Sequence, residues 1–176
     1  MTSTYLISCS GTKACLCDHD VKSSSLSNIS GFQELNGARE QLIRSLKVQL
    51  DFEKCLPAWQ LYRGRLYMQV DAENWTNYGN KVIIMSALFG LIYHDDYIPK
   101  YDFSMSNRIC KDFWKSQNLE SYLVNYNIVN LTFKNYHESI FPNREVDFKR
   151  PKIIWKDKYG FHRGRWLNEQ LNVNKL

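Results

Sequence analysis

The chain has 176 residues, 44% of them apolar and 23% charged, with a formal net charge of +5 at pH 7. This is ordinary globular composition at a length that builds one domain with a proper core, spanning 1–176. It excludes a disordered or collagen-like chain, and no run approaches the ~20 apolar residues that a membrane span needs.

The N-terminal MTSTYLISCSG lacks a basic start and a long apolar stretch, so no signal peptide is expected. Five cysteines (Cys9, Cys15, Cys17, Cys55, Cys110) are odd in number and irregularly spaced, which predicts free thiols in a reducing cytoplasm. The basic excess is modest and suits an anionic partner. Aromatic content is high, with eleven Tyr, nine Phe and five Trp available for packing or for stacking on a ligand.

Thr4–Ile7 is a short β-prone run that empties into Ser8–Lys13, SCSGTK. Such a loop presents N–H groups, hydroxyls and one ammonium to a phosphate or sugar. It lacks P-loop spacing. Cys15, Cys17 and His19 lack the downstream pair that a zinc site needs, so no metal is expected. Leu35, Ala38, Leu42, Leu46 and Leu50 recur at helical spacing and predict an amphipathic helix ending near Pro57. In Ala58–Val70, Trp59, Tyr62, Leu66 and Tyr67 interleave with Arg63 and Arg65. That pattern fits a half-buried helix, or aromatics that stack bases beside arginines that hold phosphates. Asp71–Asn80 reads as a polar loop.

Val82–Met85 is the central apolar run, flanked after its end by Ser86, Ala87 and Gly90. It predicts a buried strand and a tight turn. His94, Asp95, Asp96, Lys100, Tyr101, Asp102 and Ser104 follow. Ligands in α/β proteins sit outside the carboxyl ends of strands, which makes this the expected site. Beyond it come one or two helices, with Ser106 as the expected N-cap and Phe113–Trp114 in the core. Tyr126–Leu131 is a third strand, and Phe141–Arg150 a basic connection. Lys152–Trp155 is a fourth strand, followed by the basic stretch Lys156–Trp166, which is either a solvated loop or a clamp on phosphates. The alternation predicts an α/β fold: a single compact domain with a small, mostly parallel or mixed central sheet flanked by helices. Four strand ends should converge, at Ser8–Lys13, Ser86–Asp102, Asn130–Tyr136 and Lys156–Arg165.

This order of motifs resembles the YaaA family of peroxide-stress proteins. LISCSGTK matches its opening strand and Ser/Lys/Thr loop, and Tyr62, Gly64 and Tyr67 its tyrosine/glycine segment. SALFGLI, Asp96 and IPKYDFSM match the central strand end and the Pro-Tyr segment. Phe113–Trp114, Asn130–Leu131 with Tyr136, and Arg163–Gly164 complete the set. The chain is shorter than a full-length YaaA. Phe161–His162 stand where longer members carry a lysine pair, and Phe133 where they have a small serine step. The resemblance implies a YaaA-like domain that binds DNA. Its short branch, which resembles the Brig-type anti-phage DNA glycosylases, implies removal of bulky modified bases such as glucosylated hydroxymethylcytosine from phage duplex DNA.

Breaking an N-glycosidic bond passes through an oxocarbenium-like state and needs a carboxylate to stabilise the cation or activate water. Asp102 and Asp96 are the candidates, with Asp102 preferred because it follows Tyr101. An N-cap role or an ion pair with Lys100 or Arg108 is the alternative for Asp102. Lys13 with Ser8 and Ser10 can hold a phosphate or the deoxyribose, or Lys13 can act as a Schiff-base nucleophile. Tyr62, Phe89 or Tyr101 can stack on a flipped base. Arg63, Tyr67 and Ser86 are further binding candidates, Asn130 can bond a base edge, and Arg163 and Arg165 can grip the backbone. No cofactor or metal is required, and a monomer is favoured. A non-catalytic duplex-DNA-binding protein and a nucleotide N-glycosidase are the competing functions.

Overall fold

The computed structural model describes residues 2–143, 157 and 159–173. Its centre is a mixed four-stranded sheet of β1 (Ser3–Ser8), β3 (Val82–Ser86), β4 (Gly90–Tyr93) and β6 (Asn127–Asn130), in the order β4-β3-β1-β6. β1 pairs in parallel with both neighbours, Tyr5 opposite Val82 on one side and Val129 on the other. β4 returns antiparallel along β3, Ser86 opposite Gly90. The apolar stretches of β1 and β3 are buried on both faces, as continuous apolar strands require. On one face Tyr5 meets Trp166 edge-on, ring centroids 6.0 Å apart.

Three of the expected strands therefore form where the apolar runs stand. The fourth, Lys152–Trp155, lies outside the described residues, as do Lys156, Lys158 and most of the connection before Arg150. β4 continues the central apolar run after a three-residue turn. Gly90 takes φ +66 there, and the Trp114 ring lies against its α-carbon, where a side chain would collide. A second, two-stranded sheet pairs β2 (Cys55–Pro57) with β5 (Tyr97–Pro99).

Several sequence expectations are corrected. The first helix, α1 (Asn36–Leu46), stops eleven residues short of Pro57, because Lys47 turns left-handed at φ 51 and Lys47 N–H closes onto Arg44. Only Ala58–Leu61 (α2) of the next segment is α-helical, since Tyr62 is extended. Asp71–Asn80 is not a loop: it contains α3 (Ala72–Tyr78), which buries Trp75 and docks Asn74 on Asn168 at 2.6 Å. α4 (Arg108–Lys115) is capped by Asn107, whose side chain accepts from the N–H groups of Ile109 and Cys110, and not by Ser106. α5 (Lys134–Ile140) follows β6, and the basic stretch enters α6 (Phe161–Asn172) and does not stay a loop. Cys15 and Cys17 are joined by a disulfide, their α-carbons 5.5 Å apart, so only Cys9, Cys55 and Cys110 are free. Asp18 lies beside that pair, but the two sulfurs are spent on each other.

Two buried charges tie the second half of the sheet to the loop before α1. Asp96 accepts from Ser30 N–H at 2.6 Å, Ser30 Oγ at 2.8 Å, Gly31 N–H at 3.1 Å and Tyr93 N–H at 2.8 Å. Arg39 donates to the carbonyls of Phe89 (2.8 Å), Gly31 (2.6 Å) and Leu91 (2.7 Å), and to Asn36 Oδ1. Burial lowers the Arg39 pKa to about 10, with Asp96 and then Glu34 pulling the other way. Arg39→Met removes the donor from three buried carbonyls and should cost about 3–5 kcal/mol. The urea midpoint followed by tryptophan fluorescence measures this; an unchanged midpoint would show that the guanidinium does not hold the loop.

Candidate functional site

The chain leaves β1, crosses to β3 on one side and returns to β6 on the other. The carboxyl end of β1 is thus a topological switch point, where α/β sheets open a crevice. Cys9 stands there, its N–H bonded to Met85 O at 2.9 Å, which extends the ladder by one residue. Around it lies a buried network of side-chain hydroxyls. Tyr136 OH is 3.3 Å from Cys9 Sγ, and Tyr101 OH donates to the same sulfur at 3.7 Å. Tyr101 OH is also 2.8 Å from both Tyr62 OH and Ser86 Oγ, and Tyr62 OH donates to Ser86 Oγ at 3.3 Å. Ser86 Oγ accepts from Phe89 N–H, so the same hydroxyl fixes the β3–β4 turn. Tyr67 OH donates to Ser8 O at 2.9 Å, and Ser8 Oγ accepts from Phe133 N–H at 2.9 Å. Three of the four expected strand ends therefore meet, and the fourth segment reaches them through Arg163 and Tyr159.

Lys13 is held at the edge of this network. Its backbone makes an antiparallel bridge with Tyr62, flanked by Ala14 N–H to Leu61 O and Arg63 N–H to Thr12 O. Its ammonium lies 4.3 Å from the Tyr101 ring centroid. Gly64 is required nearby, because a side chain there would collide with Ser10 Oγ. Lys13, Lys100, Tyr101 and Asp102 line one open cleft of about 670 Å3, completed by Gly11, Val48, Gln49 and Phe103. Volumes of about 300–1,000 Å3 are typical of small-molecule sites. On the other side of Gly11, a smaller hollow of about 230 Å3 runs between Ser8, Cys9, Ser10, Tyr67, Phe133 and Tyr159.

Burial lowers the Lys13 pKa, and the Lys100 charge lowers it further, against the opposing pull of Cys9 and Asp102. Lys100 itself donates to Ala14 O at 3.1 Å. Asp102 is exposed and, among the described residues, makes no hydrogen bond or ion pair. The alternatives for it are taken up elsewhere: Asn107 caps α4, and Arg108 pairs with Asp112 at 3.3 Å.

The other expected site residues divide. Ser10 and exposed Arg63 flank the Lys13 loop. Tyr62, Ser86 and Phe89 are buried beneath it and have no open face for a base; Tyr67 and Tyr101 are also buried, Tyr67 at the wall of the smaller hollow and Tyr101 with its ring under the Lys13 ammonium. Asp96 stands apart as the loop anchor described above. Asn130 is committed inside the fold, its Oδ1 accepting from Thr132 and its amide 2.8 Å from His137 Nδ1. Arg163 is buried, donates to Leu131 O at 3.2 Å and stacks 4.1 Å from the Phe133 ring centroid; Arg165 is exposed. The sequence places Lys100 in the expected site and Tyr136 in the family-like motif set without a role for either, and it does not single out Cys9. Cys9 sits between two serines just past a strand end, and Tyr136 one turn into the helix after β6. Their shared environment is the only signal, and it is tertiary.

A family profile described as "Peroxide stress protein YaaA" matches residues 13–160, which takes in Lys13, Tyr62, Ser86, Tyr101, Asp102 and Tyr136. A UPF0246 protein of Malacoplasma penetrans (strain HF-2) is 27% identical over 188 positions, covering 89% of this chain and 74% of that protein. No described helix is long and apolar enough to cross a membrane.

Burial pushes the pKa values of Tyr62, Tyr67, Tyr101 and Tyr136 well above the usual 10.0, and the Cys9 sulfur adds to the shift. A raised folded pKa gives stability that is complete below pH 10 and is lost above it, as the unfolded chain releases phenolic protons that the fold retains. Each such phenol contributes a slope of about 1.4 kcal/mol per pH unit. Urea titrations from pH 9 to 11.5 should show this fall, and Tyr62→Phe should make it shallower; an unchanged slope would remove Tyr62 from the network.

Proposed function

The chain belongs to the YaaA peroxide-stress family, and from that membership and its cleft we infer that it is a DNA glycosylase, excising a bulky modified base of the glucosylated hydroxymethylcytosine class from phage DNA in the cytoplasm. The observation that carries this reading is that Lys13 and Asp102 line one cleft of about 670 Å3, with Tyr101 beneath the Lys13 ammonium. An exposed, uncommitted carboxylate is what an oxocarbenium-like deoxyribose requires, either to stabilise the cation or to orient water. Lys100 supplies positive charge for the flanking phosphates, and Arg63 extends it along the surface. The open cleft has room for a base enlarged by a sugar. The buried hydroxyl network keeps Tyr101 fixed, so the aromatic floor under the Lys13 ammonium does not have to be ordered on binding.

The reaction divides simply. The C1′–N bond breaks with its electron pair leaving on the base. Asp102 supports the resulting positive charge while water attacks C1′ and gives up a proton to the Asp102 carboxylate, and the departing base takes up a proton from solvent. Metal-free incubation of the protein with DNA containing glucosylated hydroxymethylcytosine should release the modified base, detected by mass spectrometry, and leave alkali-labile sites. Unmodified DNA should release none. Asp102→Asn should lower release by about 10²–10⁴-fold while leaving DNA binding in place. Salt-sensitive binding to both DNAs with no base released from either would overturn the enzymatic reading and leave a non-catalytic DNA-binding protein. Equal turnover of a mononucleotide would point instead to a nucleotide N-glycosidase.

A further inference from the structure

We propose that Lys13 is an amine nucleophile that forms an imine with the abasic deoxyribose, giving the protein a strand-cleaving lyase activity; this rests on the reading that the cleft receives a deoxyribose. The argument starts from how Lys13 is placed. Among the described residues its ammonium has no ion pair within 4 Å, and its one hydrogen bond, to Gly11 O, is 3.5 Å long. It rests on an aromatic face and opens to the cleft. A second amine, Lys100, lines the same cleft. An amine withdrawn from water beside another cation is the arrangement that frees a lysine for attack on a carbonyl. The charged and titratable groups facing it are Cys9, Asp102 and Lys100, with the Tyr62 and Tyr101 rings beneath. Burial and Lys100 favour the neutral amine; Cys9 and Asp102 oppose them.

The chemistry balances without a further reactant. Lys13 Nζ adds to the C1′ aldehyde of the ring-opened sugar, and water leaves to give the imine. A C2′ proton passes to the Asp102 carboxylate. The C2′–H electron pair forms a C2′=C3′ double bond as the 3′ phosphate departs with the C3′–O pair. Water then hydrolyses the imine, restoring Lys13 and releasing an unsaturated aldehyde on the DNA end.

The test supplies a duplex that already carries one abasic site, so base removal is not needed. With borohydride present, the wild-type protein should become covalently joined to the DNA, and peptide mapping should place the deoxyribose on Lys13. Lys13→Arg keeps the charge and should lower trapping by about 100-fold or more. Lys100→Gln removes the like charge that lowers the Lys13 pKa, so the midpoint of trapping rate against pH should move upward. Absence of an adduct with the wild type, or an adduct that maps to Lys100 or another amine, would overturn the proposal even if Lys13→Arg failed to fold. Base release without trapping sinks the imine alone, whereas trapping without base release sinks the base-removal reading alone.

Discussion

A polar group withdrawn from water has to be paired inside the fold, and here that requirement falls on four tyrosines at once. Leaving one hydroxyl buried and unpaired costs about 1–3 kcal/mol. Tyr62 and Tyr67, Tyr101, and Tyr136 come from three segments, and their hydroxyls are satisfied by one another, Cys9, Ser86 and the carbonyl of Ser8. The network therefore couples the ends of β1 and β3, the segment after α2, the exit of β5 and helix α5. None of these segments can shift without unpairing a group in another. Its position at the switch point makes the floor of the crevice a single rigid body.

Only the inner side of that body is closed. Tyr101 sends its hydroxyl inward while its ring supports the Lys13 ammonium from below. One residue on, the chain turns outward and exposes Asp102. The aromatic floor and the acid thus come from adjacent positions, and the ammonium comes from a loop pinned to Tyr62. This is a site built from two loops on a fixed base, and it depends on the disposition of the hydroxyls more than on any side chain exposed at the surface.

What the sequence could disclose follows from this. β1 and β3 were legible from apolar runs that are buried on both faces and β6 from the shorter run around Ile128–Val129, and the Phe113–Trp114 pair was legible as packing on the core. Helices α3 and α6 were not, since Asn74 and Arg163 make their contacts with polar groups that hydrophobic periodicity does not register. Asp96 stood as the second catalytic candidate beside the preferred Asp102. They differ in that Ser30 and Gly31, more than sixty residues away, bring Asp96 its donors, while among the described residues nothing comparable reaches Asp102. Lys13 was visible as a residue in a promising loop. Its standing over an aromatic ring, with a second lysine beside it, was not, because both partners lie more than forty residues downstream.

The same positive field has two consequences that pull against each other. On the proposed reading Lys13 and Lys100 together would draw in a polyanion, and their mutual repulsion favours losing a proton from one of them. A phosphate arriving beside Lys13 would reverse the second effect, since an anion favours the charged amine. A cation–π contact, worth about 0.5–2 kcal/mol, works in the same direction as the phosphate. Nucleophilic use of Lys13 therefore requires the phosphates to be held by other cations. Lys100 is anchored on Ala14 O at the same cleft, and Arg63 is exposed just beyond Tyr62. On the proposed reading, separating the cation that would hold the backbone from the amine that would meet the sugar would let one cleft do both tasks, and would give the two lysines unequal roles despite their common wall.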